Sequence, residues 1–357
     1  MRSVWRSSWA LVVVLSVLIA GCAREAQGPA TGQLTLTGAG ATFPYPLYSK
    51  WFSEYAKVNP QVRINYQSIG SGGGIQQLKA GTVDFGASDA PLSNEELKSM
   101  PGPVVHIPTV AGAVVIACNL PGGPDEVRLT PEIIGDIYLG DIKRWNDHRI
   151  AAANPGARLP DLPVVVAHRS DGSGTTYIFT HYLAAVRKAW ADRVGAGKSV
   201  DWPVGIGGKG NEGVTGVVKQ TPGGIGYVEL AYAVQNSLAS ARVRNAAGNF
   251  VKPTLSTTQA AASGAAEAMK KDVRVSIVNA KAADAYPIAG FTYLLVYRDQ
   301  ANRAKGEALV KFLDWAIHDG QRLAEPLLYA ALPPDIVIID EAALRTIRFQ
   351  GKPLLEK

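Results

Sequence analysis

Short apolar runs alternate with amphipathic stretches along most of the chain. Residues 33–37 and 62–67 alternate apolar and polar positions with a period of two, which predicts two strands. Between them, residues 48–58 repeat their apolar positions with a helical period, and Asn59-Pro60 predicts the end of that helix. Strands separated by helices are typical of an α/β protein, which is the fold class we expect.

The same periodicities predict further elements as far as residue 317. The strands are residues 83–86, 104–107, 114–117, 164–167 and 291–297, and the helices are residues 75–80, 131–139, 175–190 and 306–317. We expect a turn at Pro108 and Thr109, with the crossover between two domains nearby. The length of 357 residues also favours two domains, because a single hydrophobic core seldom extends so far.

The N-terminus has the pattern of an export signal. Arg2 and Arg6 precede a short apolar run at residues 9–20, which ends in Ala20-Gly21-Cys22. This ending resembles the lipobox of bacterial lipoproteins, in which the cysteine is lipidated and the chain is cut before it. We therefore predict a signal peptide at 1–22, a lipid anchor on Cys22 that attaches the protein to a membrane, and a polar tether at 23–32. No later apolar run approaches membrane-spanning length.

Charge argues against a nucleic-acid-binding protein, and cysteine content argues against a disulfide-stabilised one. The net charge of +6 falls to 34 basic against 30 acidic residues once Arg2 and Arg6 are removed, and no basic cluster carries interleaved aromatic residues. We expect no nucleic-acid partner. Lipidation of Cys22 would leave Cys118 without a partner, so we predict no disulfide and a buried, apolar role for Cys118.

Three loops share one design that suits an anion. Each follows a predicted strand, contains Gly with Ser or Thr, and leads into a predicted helix: residues 37–43, 69–74 and 169–175. A helix start offers unpaired backbone N–H groups and partial positive charge, and glycine allows close approach. A single loop of this kind is an ordinary turn. Three together, one of them carrying Arg169, favour a tetrahedral oxyanion.

Catalytic and metal-binding patterns are weaker than the anion-binding pattern of these three loops. The five histidines, at positions 106, 148, 168, 181 and 318, lack metal-ligand spacing, and we expect no metal and no cofactor. Gly197-Lys198-Ser199 resembles the end of a P-loop, but Asp192 occupies the first glycine position. A secreted phosphatase would use the same anion pocket, yet Ser173 has no evident base beside it. We expect no enzymatic activity and no catalytic residue.

Seven segments in order resemble the phosphate-binding proteins of high-affinity phosphate ABC importers. They are TGAGATFP (37–44), VDFGASDAPL (83–92), GDIYLG (135–140), DGSGT (171–175), GGKGN (207–211), IGYVE (225–229) and FLDWA (312–316). The resemblance covers the whole chain after the export signal. It implies a monomeric, two-lobed periplasmic-binding-protein fold of type II that closes over one inorganic phosphate in the cleft. It also implies extracytoplasmic delivery of phosphate to membrane permease subunits.

The resemblance implies lobes and site residues as well. Lobe one would be residues 33–108 plus 288–357, and lobe two residues 109–287. Thr42, Phe43 and Ser71 would donate through backbone N–H and hydroxyl groups, and Asp89 would accept a proton from the ligand. Asp171 would orient Arg169, the charged partner of phosphate. From lobe two the remaining donors would be Ser173, Gly174 and Thr175.

One departure and two alternatives remain open. His168 and Ser170 flank Arg169 where the family has arginine and alanine, so a fixed charge beside the site would be missing. The ligand could be another tetrahedral oxyanion such as sulfate, tungstate or a phosphonate, and the protein could be a secreted phosphatase. Asp89 argues against sulfate, which has no proton to donate at neutral pH.

Overall fold

A computed structural model of the protein describes residues 32–355. The predicted signal peptide at 1–22 with its lipidated Cys22, and all but the last residue of the predicted tether at 23–32, lie outside the described residues. None of the helices between residues 32 and 355 has the length and apolar character needed to cross a bilayer.

The described chain contains fourteen strands, several of them only two residues long. They are β1 (Leu34–Gly40), β2 (Val62–Ser68), β3 (Phe85–Ser88), β4 (Val104–Cys118), β5 (Arg128–Leu129), β6 (Val165–Arg169), β7 (Ile206–Gly208), β8 (Gly224–Glu229), β9 (Ala239–Ser240), β10 (Arg242–Arg244), β11 (Phe250–Val251), β12 (Ala289–Tyr297), β13 (Arg348–Phe349) and β14 (Lys352–Pro353).

Thirteen α-helices lie between these strands in the same part of the chain. They are α1 (Tyr45–Val58), α2 (Ser71–Lys79), α3 (Asn94–Ser99), α4 (Pro131–Tyr138), α5 (His148–Ala153), α6 (Gly174–Val186), α7 (Lys188–Arg193), α8 (Gly210–Gln220), α9 (Leu230–Gln235), α10 (Leu255–Ala262), α11 (Ala266–Met269), α12 (Arg303–Ile317) and α13 (Pro334–Leu344). The predicted α/β class is therefore confirmed.

The main sheet joins strands from both halves of the chain. Its order is β2-β1-β3-β12-β4-β8-β6-β7, with β9 paired to β4. Strands β1, β2 and β3 run parallel at one end, and β6, β7 and β8 run parallel at the other. The long antiparallel strands β4 and β12 connect the two ends. Because parallel strands end at one edge, the loops after β1 and β3 meet there, as do those after β6 and β7.

Strand β4 corrects the predicted turn at Pro108 and Thr109. It is one continuous strand that pairs with β12 through its first ten residues and with β8 through its last five. The pairing skips Thr109, because Val110 faces Thr292 and Pro108 faces Tyr293. Proline lacks a backbone donor and is tolerated in a strand beside such a bulge. The chain therefore passes from one half of the sheet to the other within β4.

A second correction concerns the helix predicted at 175–190. It is divided into α6 and α7 at Arg187, whose backbone is extended with φ −132° and ψ 101°. The guanidinium of Arg187 reaches Asp136 of α4 at 2.7 and 2.9 Å. A Cβ on Gly135 would lie 2.7 Å from Arg187 Cγ, so that glycine makes room for the side chain. Tertiary contacts thus interrupt a stretch whose periodicity is helical throughout.

The apolar core follows both faces of the sheet. Every residue of β4 from His106 onward is buried, as is every residue of β12 up to Val296. Helices cover both faces, which is why these strands are continuously apolar rather than alternating. Cys118 at the end of β4 is 3% exposed, which confirms its predicted buried, apolar role, and it forms no disulfide within residues 32–355.

Candidate functional site

The loop after β6 carries the charged group of the site. Arg169, the last residue of β6, is 3% exposed. Its Nε donates to Asp171 Oδ1 at 2.7 Å and its Nη2 donates to Asp171 Oδ2, which fixes the guanidinium plane through two parallel bonds. Gly210 N–H donates to the same carboxylate at 3.1 Å. Although burial would raise it, these bonds and the charge of Arg169 hold the pKa of Asp171 below its ordinary value.

Helix α6 begins directly after this charged pair. Ser173 is its N-cap and accepts a hydrogen bond from Thr176 N–H at 3.0 Å. The next backbone N–H groups, of Gly174 and Thr175, belong to the first turn and have no carbonyl partner within the helix. The predicted donors Ser173, Gly174 and Thr175 therefore lie at the positive end of a 13-residue helix.

The facing wall is assembled from three separate loops. Thr42 and Phe43 follow β1, Ser71 is the first residue of α2, and Asp89 follows β3. Phe43 packs its buried ring against β4, where a Cβ on Gly112 would lie 2.5 Å from Phe43 Cζ. Its ring is thus part of the core, which leaves the main chain of Phe43 for a ligand.

Ser71 joins the two walls. Its hydroxyl oxygen accepts from Gly174 N–H at 3.0 Å and from Asp89 N–H at 3.2 Å. A Cβ on Gly174 would lie 2.5 Å from Asp89 and 2.6 Å from Ser71 Oγ, so only glycine allows this approach. Gly72 N–H also donates to Gly172 O at 2.8 Å. The two predicted halves of the site are therefore in direct contact.

Asn211 connects the hydroxyl groups of Thr42 and Thr175. Its Nδ2 donates to Thr42 Oγ1 at 2.8 Å and to Thr175 Oγ1 at 3.1 Å. Thr42 Oγ1 also accepts from Asn211 N–H at 3.1 Å, and Thr175 Oγ1 accepts from Arg169 Nη1 at 3.3 Å. Each hydroxyl oxygen thus faces two N–H donors, and a hydroxyl has only its own proton left to give. Each threonine can therefore donate its hydroxyl proton to a bound anion.

Asp89 is the acceptor of the site. It is 3% exposed, and its Oδ1 accepts from the hydroxyl of Thr292 at 2.8 Å. Burial raises its pKa to about 7, against the opposing effects of Thr292, the charge of Arg169 and Ser71. The site therefore combines several N–H and O–H donors with one carboxyl group that changes charge near neutral pH.

Two residues that hold this arrangement, Asn211 and Thr292, are not predicted as site residues from the sequence. Asn211 belongs to a family motif, and Thr292 lies within a predicted apolar strand. Both are fully buried. The signal for Asn211 is its position at the end of the glycine-rich motif GGKGN (207–211). Thr292 gives no such signal, because its role depends on how β12 pairs with β3 and β4.

His168 faces away from the anion donors. Its ring stacks on Trp202 with centroids 4.9 Å apart, and its Nδ1 lies 3.1 Å from Arg169 O. The side chain at this position therefore belongs to an aromatic cluster beneath the site. No group of three His, Cys, Asp or Glu side chains within residues 32–355 is arranged to hold a metal ion.

Comparison with known proteins gives consistent family matches. A family profile described as PBP superfamily domain matches residues 25–319. The chain is 46% identical over 308 residues to the phosphate-binding protein PstS of Xylella fastidiosa, covering 86% of this chain and 84% of the relative. It is 45% identical over 324 residues to the phosphate-binding protein PstS of Haemophilus influenzae, covering 90% and 94% of the two chains.

A solved structure supports the architecture. The phosphate-binding protein from Stenotrophomonas maltophilia superposes with a TM-score of 0.68 at 20% identity, covering 87% of this chain and 94% of that one. The fold is the two-lobed, type II periplasmic-binding fold predicted from the sequence.

Proposed function

The chain belongs to the PBP superfamily and, within it, to the PstS family of phosphate-binding proteins, and from this premise we propose that it binds inorganic phosphate for delivery to an ABC import permease. The observation that carries this proposal is the donor set around Asp89. Arg169, two donor-only threonine hydroxyls and the first turn of α6 converge on one place with a single carboxyl acceptor.

We propose as ligand contacts Thr42, Phe43, Ser71, Asp89, Arg169, Ser173, Gly174 and Thr175, with Asp171 orienting Arg169. Phosphate at neutral pH carries several acceptor oxygens and at least one hydroxyl. The donors suit the acceptor oxygens, and Asp89 suits the hydroxyl. A fully deprotonated oxyanion such as sulfate would face the Asp89 carboxylate acceptor to acceptor, which is costly in a buried site.

Calorimetric titration of the mature protein tests the ligand. We expect tight one-to-one binding of phosphate and no measurable heat with sulfate at mildly alkaline pH, where the Asp89 carboxyl is ionised. Tungstate and a phosphonate serve as further competitors. Comparable binding of sulfate and phosphate would refute the proposed selectivity, and the absence of phosphate binding would refute the function.

Binding without catalysis is part of the same proposal. The curated relatives are named as binding proteins, and a phosphatase would share the anion pocket. Phosphomonoester turnover by the purified protein with added divalent metal separates the two functions. We expect no turnover above the metal alone. Turnover that Ser173→Ala abolishes would establish the phosphatase instead.

The lobe boundaries remain a proposal, with 33–108 plus 288–357 as lobe one and 109–287 as lobe two. The passage of β4 between the two ends of the sheet supports a crossover close to residue 109. We propose that the lobes separate to admit phosphate, since the donors lie on both sides of the cleft. Small-angle scattering should show a smaller radius of gyration on addition of phosphate, whereas an unchanged radius would argue for a preformed site.

We further propose an extracytoplasmic monomer anchored through a lipid on Cys22. The support is the basic start, the short apolar run and Ala20-Gly21-Cys22. Cys22→Ala should release the protein from membranes, with Cys118→Ala as the matched cysteine control that stays anchored. A Cys22→Ala variant that still resists salt washing from membranes would refute the anchor.

A further inference from the structure

Glu229 is a buried carboxyl group behind the first donor loop. It is the last residue of β8, is 0% exposed, and caps α9 by accepting Ala231 N–H on Oε2 at 2.8 Å. Its Oε1 has no hydrogen-bond partner among the described residues. An ionised carboxylate with one oxygen unpaired in a dry interior would be costly, whereas a neutral acid with an unpaired carbonyl oxygen costs far less.

The hydrogen-bond count at Tyr329 points to the same protonation state. Tyr329 is fully buried, and its hydroxyl oxygen lies 2.7 Å from Phe43 O and 3.0 Å from Glu229 Oε2. The Phe43 carbonyl can only accept, and an ionised Glu229 could only accept as well. One phenolic proton cannot serve both acceptors fully. A proton on Glu229 Oε2 resolves the conflict, because Glu229 then donates to Tyr329 and Tyr329 donates to Phe43 O.

We propose that Glu229 carries a proton when the site binds its anion, and that it acts through Tyr329 as a positioning residue for the Phe43 loop. The inference rests on the proposed function, since it concerns the same anion site. Glu229 itself does not contact the ligand. It fixes the carbonyl of Phe43 from behind, and with it the main chain that faces the cleft.

The surroundings of Glu229 favour the neutral form. The ionisable groups that face it are Tyr329 from the segment after α12, Tyr232 from α9 and Asp89 from the loop after β3. Strand β4 contributes Gly112, where an added Cβ would lie 3.6 Å from Oε1. These groups are neutral or add negative charge. Burial raises the pKa of Glu229 well above its ordinary value and outweighs the lowering effect of the hydrogen bonds from Ala231, Tyr329 and Leu230, and the charge of Asp89 raises the pKa further.

A neutral Glu229 matters to an anion site for two reasons. Asp89 and Asp171 already place two carboxyl groups beside the ligand, and a third charge would repel it further. An ionised Glu229 would also compete with Phe43 O for the single phenolic proton of Tyr329. Ionisation would therefore add repulsion against the anion and weaken the support of the first donor loop.

Infrared difference spectroscopy of the ligand-free protein tests whether Glu229 is protonated. Glu229→Gln should remove a protonated-carboxyl C=O band that the parent shows at neutral pH. Asp340→Asn is the matched control, because Asp340 on α13 is also fully buried with neither carboxyl oxygen hydrogen-bonded among the described residues. Each variant should lose its own acid band. A Glu229→Gln spectrum that loses only carboxylate absorption would overturn the assignment.

Phosphate titrations from neutral to alkaline pH test the positioning role. Glu229→Gln cannot ionise, so its affinity should fall by less than about tenfold at neutral pH, the effect of one altered hydrogen bond. The parent should lose affinity faster than Glu229→Gln as the pH rises. Tyr329→Phe should weaken binding in the parent and should weaken it less in the Glu229→Gln background. Asp340→Asn should follow the parent curve.

Two results would overturn the positioning role. One is a parallel loss of affinity with pH in parent and Glu229→Gln, and the other is additive effects of Tyr329→Phe and Glu229→Gln. A parent that binds no phosphate at all would refute the proposed function, and the infrared result would still decide whether Glu229 is protonated.

Discussion

Asp89 and Asp171 are two carboxyl groups in one anion site, and their neighbours give them opposite properties. Asp171 is held by two bonds from Arg169 and one from Gly210 N–H, and its pKa lies below the ordinary value. Asp89 accepts from the neutral hydroxyl of Thr292, and burial raises its pKa to about 7. Asp171 therefore orients Arg169, whereas Asp89 can still accept a hydrogen bond from a ligand. Placement relative to Arg169, rather than residue type, separates the two roles.

The comparison predicts the largest effect for Asp89→Asn. A carboxylate that faces another acceptor in a buried site can reject the wrong ligand by roughly four powers of ten. The amide can donate, so sulfate should bind measurably to Asp89→Asn while phosphate still binds. Competition titrations of the folded variant measure this. Asp171→Asn is the control, because it loosens Arg169 and should weaken both anions alike. Sulfate excluded from Asp89→Asn as strongly as from the parent would contradict this role for Asp89.

Arg169→Ala should have the next largest effect. Removing the guanidinium leaves the anion and Asp171 without their common partner, and truncation of such a buried charge pair costs about 2–5 kcal/mol of binding free energy. Calorimetry with phosphate measures the loss. Arg149→Ala is a matched control, since Arg149 makes the same paired contact to Asp147, two residues before it, outside the site. Equal affinities of the two variants would show that Arg169 is only structural.

The sequence predicted the Arg169 loop better than the wall that faces it. Arg169, Asp171 and the cap of α6 lie within seven residues, so local pattern alone places them together. Thr42, Ser71 and Asp89 come from three loops. The shared loop design grouped the loops of Thr42 and Ser71 with the Arg169 loop, whereas only the family resemblance added Asp89. Their contacts depend on the parallel pairing of β1 with β3 and on the packing of α2.

The misses have the same physical origin. Asn211 and Thr292 act through side chains whose partners lie between 18 and 203 residues away in sequence, and no local periodicity indicates such contacts. The turn predicted at Pro108 was wrong because a bulge in the pairing with β12 accommodates the proline. The helix predicted through Arg187 was wrong because the arginine reaches α4 instead of continuing the helix.

The smallest expected effect is that of Thr292→Val, which alters the proton equilibrium of Asp89 rather than the donors. In the parent, Asp89 gains a proton as the pH falls through about 7 and becomes a donor. Sulfate affinity of the parent should therefore rise toward acid pH. The hydroxyl of Thr292 favours the ionised form, so its loss should raise the pKa of Asp89 further and move the onset of sulfate binding to higher pH, by about one unit.

Stability gives an independent check on that shift. The folded protein holds the proton of Asp89 up to about pH 7, whereas the unfolded chain releases it near 3.8. The bound proton therefore contributes fully to the free energy of unfolding below the pKa of Asp89 in the unfolded chain, and this contribution is lost as the pH rises through the pKa in the folded protein. In Thr292→Val the contribution should persist to higher pH before it is lost. Thr292→Ser, which keeps the hydroxyl, should follow the parent. Sulfate competition and urea unfolding of the ligand-free proteins across pH would measure both curves. Coincident curves for Thr292→Val and the parent would mean that Thr292 does not control the charge of Asp89.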